Sequence, residues 1–341
     1  MKSTSLRYTS FNWLWALIVF IIPFWGVTYN SDWEGYVYFF NNSDKAPDIL
    51  FGLLSDIFDR YRCEYYYLYR FHMIAMSLTY LFFISKFINK YLFIVVVLLL
   101  FDYVALGNQI RYYVAFPLAL SSVYYFYVRK KIVPHILLAV VAILCHSAVV
   151  VFFLCFYMMA FVYKSFNRYL TASFIVVNVA SLFCVKIAEI YMQGHFGAYF
   201  DSTQKSSLTG GIYSILQCCI ILFFLHKIIK ILKKHGSPLL NDRKVIFLYI
   251  LSFCTSYLLL PSITTQIINN RYISPLFVVW LVFLLYIRKN EMNYQVRRSV
   301  SRYIFLIILI RFLWVYLFPV LLFDENNYII EALVMLNSYE T

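Results

Sequence analysis

The stretch YLFIVVVLLLFDYVALGNQIRYYVAFPLALSSVYYFYV, residues 91–128, decides the fold class. It consists of two apolar runs, 91–106 and 112–128, and Asn108, Gln109 and Arg111 lie between them. A helix rises about 1.5 Å per residue and needs roughly 17 to 25 residues to cross the hydrocarbon of a bilayer. Neither run alternates polar and apolar residues as the strands of a membrane barrel do. Each run therefore predicts a membrane-spanning helix.

The composition of the whole chain indicates the same class of protein. Of its 341 residues, 63% are hydrophobic and 13% are charged, and the mean hydropathy is +0.74. A chain of this composition has more apolar surface than one soluble core can bury. We predict an all-α polytopic integral membrane protein in which residues 1–341 form a single transmembrane domain of about eleven helices, some of them short or broken.

The apolar runs also predict where the spans lie. They are residues 11–27, 65–84, 91–106, 112–128, 132–144, 147–161, 169–191, 212–225, 245–260, 273–287 and 303–323. The first lacks a small-residue cleavage site and is expected to stay as an uncleaved signal. The fifth and sixth are short for a bilayer, which favours a broken or re-entrant pair around His146. Such backbone needs a lining of protein or water, so we expect a cavity there.

Basic residues predict the orientation, because lysine and arginine collect on the cytoplasmic side of membrane proteins. With these spans most of them fall on one side, and few, such as Lys45, Arg60 and Arg62, fall on the other. The N-terminus is therefore predicted inside and the C-terminus outside. The net charge of +13 then belongs to short loops that face anionic lipid headgroups, and no nucleic-acid partner is expected.

Two outer loops follow from this topology, residues 28–64 and 192–211. In the first, Asp48 is placed to cap a helix over about 48–60. One face of this helix is apolar, and it comprises Ile49, Leu50, Leu53, Leu54, Ile57 and Phe58. Asp56, Asp59 and Arg60 share the other face, a pattern typical of a helix that lies in the membrane interface.

Metal and cofactor sites are not expected from the residue pattern. The seven cysteines show no CxxC spacing and mostly fall in apolar helices, which is typical of small apolar core residues. The outer carboxylates do not group with histidine at any spacing that metal ligands use. We therefore expect chemistry that needs neither a metal nor a cofactor.

Charged and imidazole groups near the spans are the candidate functional residues, since such groups are costly in hydrocarbon and usually face a cavity. Arg111, Arg271 and His146 fall at span ends predicted to face outward. Arg311 falls near the middle of the last predicted span, and the sequence suggests no partner for it. A structural reading stays open for each: an arginine can anchor a helix end, and a histidine can bond to a backbone carbonyl where two helices meet.

Several short motifs occur in a fixed order along the chain. They are Asp32 with Tyr36, Asn108-Gln109-Ile110-Arg111, the basic Arg129-Lys130-Lys131, His146-Ser147 and Asn270-Arg271-Tyr272. Together they resemble the EpsG family of Wzy-type polysaccharide polymerases, and the resemblance is strongest from Asp102 to Phe153. The family pattern has glutamine after the arginine where this chain has Tyr112, so a role of that glutamine does not carry over.

The resemblance implies a bacterial inner-membrane glycosyltransferase of GT-C-like architecture with its active site on the outer, periplasmic face. Such enzymes move a growing glycan from undecaprenyl pyrophosphate onto the sugar of another lipid-linked repeat unit. The lipid-linked oligosaccharide and membrane lipids are the expected partners, together with a chain-length regulator and a flippase of the same pathway.

This chemistry gives each candidate residue a role. His146 is expected to act as the base and Asp32 to orient it or bind an acceptor hydroxyl. Arg111 and Arg271 are expected to hold pyrophosphate oxygens in a bidentate fork. The remaining residues expected to bind substrate are Asn108, Gln109, Tyr36, Asn270, Tyr272 and Arg311.

Two other functions remain open at this point. A flippase or other transporter of lipid-linked oligosaccharides would also use intramembrane arginines, but it needs no base. A membrane acyltransferase that modifies surface glycans is a weaker alternative, because those enzymes carry a histidine in the first helix and none precedes His72 here.

Overall fold

The computed structural model describes residues 32–88, 109–165, 170–191, 208–265 and 268–317. Within these ranges the chain forms α-helices with short 3₁₀ and π-helical segments, and no β-strand occurs among them. The predicted all-α class is confirmed. The helices group into two compact units, residues 1–150 with 312–341 and residues 151–311.

The first unit contains the predicted outer segment and the helices that follow it. Its helices are α1 (Trp33–Asn41), α2 (Ile49–Arg60), α3 (Tyr65–Ile84), α4 (Ile110–Tyr127) and α5 (Ile132–Cys145). The last three begin and end within two residues of the predicted spans. The predicted spans 11–27 and 91–106 lie outside the described residues.

Helix α4 is the centre of this unit, and it packs against α3 on one side and α5 on the other. Most of its side chains are buried, and those of Tyr112, Phe116 and Leu120 are fully inaccessible to solvent. Van der Waals contact between closely packed aromatic side chains contributes to the stability of such a core. The N-terminal end of α4, which carries Arg111, is therefore held in place by the helices around it.

Helix α2 packs against the rest of the unit through a narrow face. Phe51, Gly52 and Ser55 are buried, and they share a face with the buried Asp48 at the start of the helix. The stripe of Ile49, Leu53 and Ile57 is exposed instead, at 63%, 55% and 47%. The contacts of Asp48 with residues in the interior of the unit fix which face of the helix is buried. An exposed apolar stripe suits a helix in the membrane interface, which stays a prediction.

The second unit holds the later helices, and the division falls inside α6 between Val150 and Val151. The helices are α6 (Val149–Ser165), α7 (Leu170–Tyr191), α8 (Leu208–Lys234), α9 (Arg243–Cys254), α10 (Leu259–Thr264), α11 (Leu276–Asn290) and α12 (Tyr294–Phe312). Within the described residues, three segments are long and apolar enough to cross a membrane, Gly211–Lys234, Arg243–Ile263 and Arg271–Asn290. Together with three shorter apolar helices they make this a polytopic membrane protein. The count of about eleven spans stays a prediction.

One predicted span of the second unit is interrupted, and side chains of α7 form hydrogen bonds with the backbone groups that the interruption leaves without helical partners. Between α9 and α10 the chain forms a 3₁₀ turn, Thr255–Leu258. Asn178 donates to the carbonyl of Ser256 (2.9 Å) and accepts from the amide of Leu260 (3.0 Å), and Ser181 donates to the carbonyl of Tyr257 (2.8 Å). Irregular backbone inside a bilayer needs such partners, because no water is there to supply them.

Candidate functional site

The carboxylate of Asp48 joins three segments of the first unit. Its Oδ2 lies 2.8 Å from Nη1 of Arg111 on α4 and 2.9 Å from Nδ1 of His146 in the turn after α5. The backbone amide of Ser147 donates to its Oδ1 at 3.3 Å. A buried carboxylate requires partners of this kind, because the loss of hydration costs several kcal/mol per ion. Arg111 and His146, both predicted from the sequence, are thus brought together by a residue that was not.

The prediction of Asp48 as a helix cap is wrong. Its side chain accepts no hydrogen bond from the first turn of α2 and points to Arg111 and His146 instead. In a buried position a guanidinium offsets the lost hydration of a carboxylate better than neutral backbone amides do, because it also neutralises the charge.

The position of His146 follows from the break between α5 and α6. Helix α5 ends at Cys145, His146 has extended backbone (φ −163°, ψ 114°), and α6 begins at Val149. The imidazole is buried, at 8% exposure, and the ring of Tyr112 packs edge-on against it at 5.6 Å. Because Nδ1 faces a carboxylate, it carries the proton in the neutral ring, and the lone pair is then on Nε2.

The surroundings of Asp48 favour its ionised form. Burial raises the pKa of this carboxyl, but the hydrogen bond and charge of His146 and the charge of Arg111 lower it by more, so its pKa lies below the ordinary value. The amide of Ser147 acts in the same direction. Asp48 is therefore a carboxylate at neutral pH, and it stabilises positive charge on the imidazole as well as on the guanidinium.

Aromatic rings surround the guanidinium of Arg111. Its Cζ lies 5.0 Å from the ring centroid of Tyr36 and 5.1 Å from that of Phe51, within cation–π range. The ring of Tyr36 stacks on that of Tyr65, and Trp33 packs edge-on against Tyr65 at 4.8 Å. Tyr36, predicted as a binding residue, is thus part of the same site through Arg111.

The other predicted residues of the first unit lie around this cluster. Gln109 directly precedes α4, and its Oε1 is buried without a hydrogen-bond partner among the described residues. Burying an acceptor oxygen without a hydrogen bond costs about 1–3 kcal/mol, unless a ligand or a water molecule donates to it. Gln109 is therefore a candidate to accept a hydrogen bond from a sugar hydroxyl. Asp32 is exposed just before α1, and its role in orienting the base or binding an acceptor hydroxyl stays a prediction. Asn108 lies outside the described residues.

The remaining candidates are in the second unit. Arg271 and Tyr272 belong to a π-helical turn, Asn269–Ile273, that directly precedes α11. Asn270 lies in the same turn, and its side chain is outside the described part of the structure. The prediction that Arg271 shares a pocket with Arg111 and His146 stays a prediction.

Arg311 lies in the last turn of α12, and a π-helical segment, Leu313–Leu317, continues the chain directly after the helix. Residues 318–323 of the predicted span lie outside the described residues, so the position of Arg311 within that span stays a prediction. Arg311 has partners that the sequence did not reveal. Its guanidinium donates to Gln217 (3.3 Å) and Ser274 (3.4 Å) and stacks over the ring of Phe277 at 4.1 Å. These contacts bind α8, α11 and α12 together, so a structural role explains its burial without a ligand.

The close packing of α2 makes a testable prediction about Gly52. A Cβ at this position would lie 2.8 Å from the backbone oxygen of Ser43, so Gly52→Ala must displace either the turn at Ser43–Lys45 or α2 itself. Overpacking costs about 1–3 kcal/mol. We expect a melting temperature lower by several degrees, measured on the purified protein in detergent. Gly35→Ala is the control, because nothing lies within 4 Å of its Cβ position; an equal loss there would contradict the packing explanation.

Fold and site define a polytopic membrane protein that holds a carboxylate, an imidazole and a guanidinium together beside a break between two helices. The model of the EpsG family matches residues 12–330 of this chain. The chain belongs to the EpsG family, a family of Wzy-like polysaccharide polymerases, which confirms the resemblance seen in its motifs. Neither the curated proteins nor the solved structures contain a match to it.

Proposed function

We propose that this protein polymerises lipid-linked repeat units, and that it moves a growing glycan from undecaprenyl pyrophosphate onto the non-reducing-end sugar of another unit. The contact of Asp48 with both Arg111 and His146 carries this proposal. The imidazole that we propose as the base and the guanidinium that we propose to bind phosphate both contact this one carboxylate. A flippase would need the cation but has no use for a carboxylate-oriented imidazole.

The base in this mechanism is Nε2 of His146. Asp48 holds the proton on Nδ1, so the lone pair is on Nε2, which can accept the proton of the attacking sugar hydroxyl. As the acceptor oxygen bonds to the anomeric carbon, the imidazole becomes positively charged, and the adjacent carboxylate stabilises that charge. Asp48 is a positioning residue here, because it acts through His146 and does not touch the sugar.

The cation in this mechanism is Arg111. When the bond from the anomeric carbon to the pyrophosphate oxygen breaks, negative charge builds on the leaving undecaprenyl pyrophosphate. A guanidinium carries five N–H donors in a planar fork, so it can pair with Asp48 at one edge and with phosphate oxygens at another. Donors aimed at developing charge lower the barrier, and the loss of one costs about 10² to 10³ in rate.

The reaction is proposed to take place at the outer face of a bacterial inner membrane. Arg111, His146 and the segment of α1 and α2 all fall on the side that the distribution of lysine and arginine predicts to be outside. Lipid-linked repeat units that have been flipped outward would meet the site there. A flippase and a chain-length regulator of the same pathway are the proposed protein partners.

The test is a reconstitution of purified protein with lipid-linked repeat units. We expect a ladder of products that differ by one repeat unit, because only a polymerase produces one and transport alone cannot. A single unchanged band from active, folded protein would exclude polymerisation.

Metal independence is tested in the same reaction. The ladder is expected to persist after treatment with a chelator, since the mechanism assigns charge stabilisation to Arg111 and proton transfer to His146. Loss of the ladder on chelation, with recovery on addition of a divalent cation, would overturn this expectation.

A further inference from the structure

A cavity of about 250 Å³ lies in the first unit beside Arg111. Helices α2, α3, α4 and α5 all contribute to its walls. Apart from His72, Thr79 and Arg111, its lining is aliphatic, aromatic or cysteine, and Leu50, Phe71 and Val141 are examples. Its walls therefore suit an apolar group, and only one wall residue brings a full charge.

The polar groups in the wall differ in what they can still bind. His72 donates from Nδ1 to the carbonyl of Leu68 at 2.9 Å, and the hydroxyl of Thr79 donates to the carbonyl of Met76 at 2.9 Å. Each of these two groups thus already donates a hydrogen bond to a carbonyl of its own helix. Arg111 is the only charged residue among the described ones that line the cavity.

The charge lies at one end of the cavity, and the apolar wall continues along the helices away from it. Arg111 is at the start of α4, and Leu118, seven residues further on, also lines the cavity. Seven residues correspond to about 10 Å along a helix axis. Phe71 and Val141 line the cavity and are also 43% and 42% exposed, so the apolar wall is continuous with the surface of α3 and α5.

A ligand that fits this arrangement has an anionic head and an apolar chain that leaves toward the bilayer. We infer that the cavity holds the head-proximal isoprene units of the donor's polyprenyl pyrophosphate, with the pyrophosphate at Arg111; this inference rests on the proposed function. An apolar cavity of about 150 Å³ accepts a six-carbon ring, so 250 Å³ has room for roughly ten carbons, or two isoprene units. The rest of the chain lies in lipid.

The test measures how donor affinity depends on chain length. Donors carry five, ten or twenty carbons on the pyrophosphate, and their acceptor hydroxyl is replaced by hydrogen, so that each one can only donate to a fixed acceptor. In the wild type we expect KM to fall by about 10- to 100-fold between the five- and ten-carbon donors, since that step fills the cavity, and to change little beyond.

Ala75 provides the variant, because it lines the cavity from α3. Ala75→Trp fills the space, so KM for the ten-carbon donor should rise to that of the five-carbon donor while kcat is unchanged. Ala75→Leu should give an intermediate value, and it keeps the test informative where the tryptophan variant does not fold. Leu78→Trp is the matched control, since Leu78 is on the same helix and 48% exposed.

The outcomes separate this inference from the function on which it rests. If the wild type transfers glycan but KM is the same for five and ten carbons, or if Ala75→Trp keeps the full dependence on chain length, the cavity does not hold the donor chain. If the folded wild type transfers no glycan from any donor, the proposed function fails first.

Discussion

Replacement of Asp48 by asparagine is expected to slow glycan polymerisation by about 10² to 10⁴-fold, the range that general-base catalysis supplies. Asparagine keeps the shape of the side chain but removes the charge that holds the proton on Nδ1 of His146 and stabilises the imidazolium. The ring can then adopt the tautomer with the proton on Nε2, where the base is needed. The rate is measured in single turnover with purified protein and lipid-linked units.

A double variant tests whether the two residues act as one unit. His146→Ala should lose at least as much rate as Asp48→Asn, and Asp48→Asn combined with His146→Ala should lose no more than His146→Ala alone. Additive losses would mean that Asp48 acts independently of the imidazole. In cells, the His146→Ala strain should still display single repeat units outside, whereas long polymer from it would remove His146 from the mechanism.

The control for Asp48 must separate catalysis from stability. Removing one partner of a buried ion pair costs about 3–5 kcal/mol, because Arg111 is left beside a neutral group. The melting temperature of Asp48→Asn is therefore measured with the rate, and rates are compared where both proteins are folded. Asp59→Asn removes a carboxylate from an exposed position on the same helix and should leave the rate unchanged.

Replacement of Arg111 by lysine is expected to lower the polymerisation rate by about 10² to 10³-fold, the loss typical of one missing charge-stabilising donor. Lysine keeps the positive charge and can still pair with Asp48. It is a point charge without the planar fork, so it cannot make a bidentate contact with the departing pyrophosphate while it pairs with Asp48. The product ladder of Arg111→Lys should stop after few repeat units.

Two further arginine-to-lysine substitutions serve as a control and as a parallel test. Arg60→Lys makes the same chemical change at an exposed position of α2 and should leave the ladder intact. Arg271→Lys applies the same test in the second unit, where the sequence also predicts pyrophosphate binding. A full-length ladder from Arg111→Lys would count against bidentate contact and would leave Arg111 as a structural partner of Asp48.

The bounds of the spans were predictable where the apolar pattern and the helix coincide. Helix α3 covers the predicted residues 65–84, because apolar and aromatic residues extend from its first turn to its last. Helices α8 and α12 extend beyond their predicted spans, to Lys234 and back to Tyr294. Basic residues occupy these extensions, and hydropathy detects only the part of a helix that lies in hydrocarbon.

The site was predictable only in part, because some of its contacts join residues that are far apart in the sequence. Arg111 and His146 stand out in the sequence because each is a polar group beside long apolar runs. Asp48 does not, since a carboxylate that precedes a helix in a polar loop has an ordinary explanation as a cap. Its true partners are far from it in sequence, and local patterns carry no information about them. Gln217 and Ser274 were missed as partners of Arg311 for the same reason.

The separation of Asp48 from His146 also has a consequence for biosynthesis. The two residues are 98 positions apart, so the carboxylate leaves the ribosome well before its imidazole partner exists. At about 5–20 residues per second, this interval lasts roughly 5 to 20 seconds. During that time Asp48 remains hydrated, and helices α3 to α5 must be inserted before it can be buried. Maturation of the site is thus a late event of membrane insertion, and a truncated chain that ends before α5 cannot assemble it.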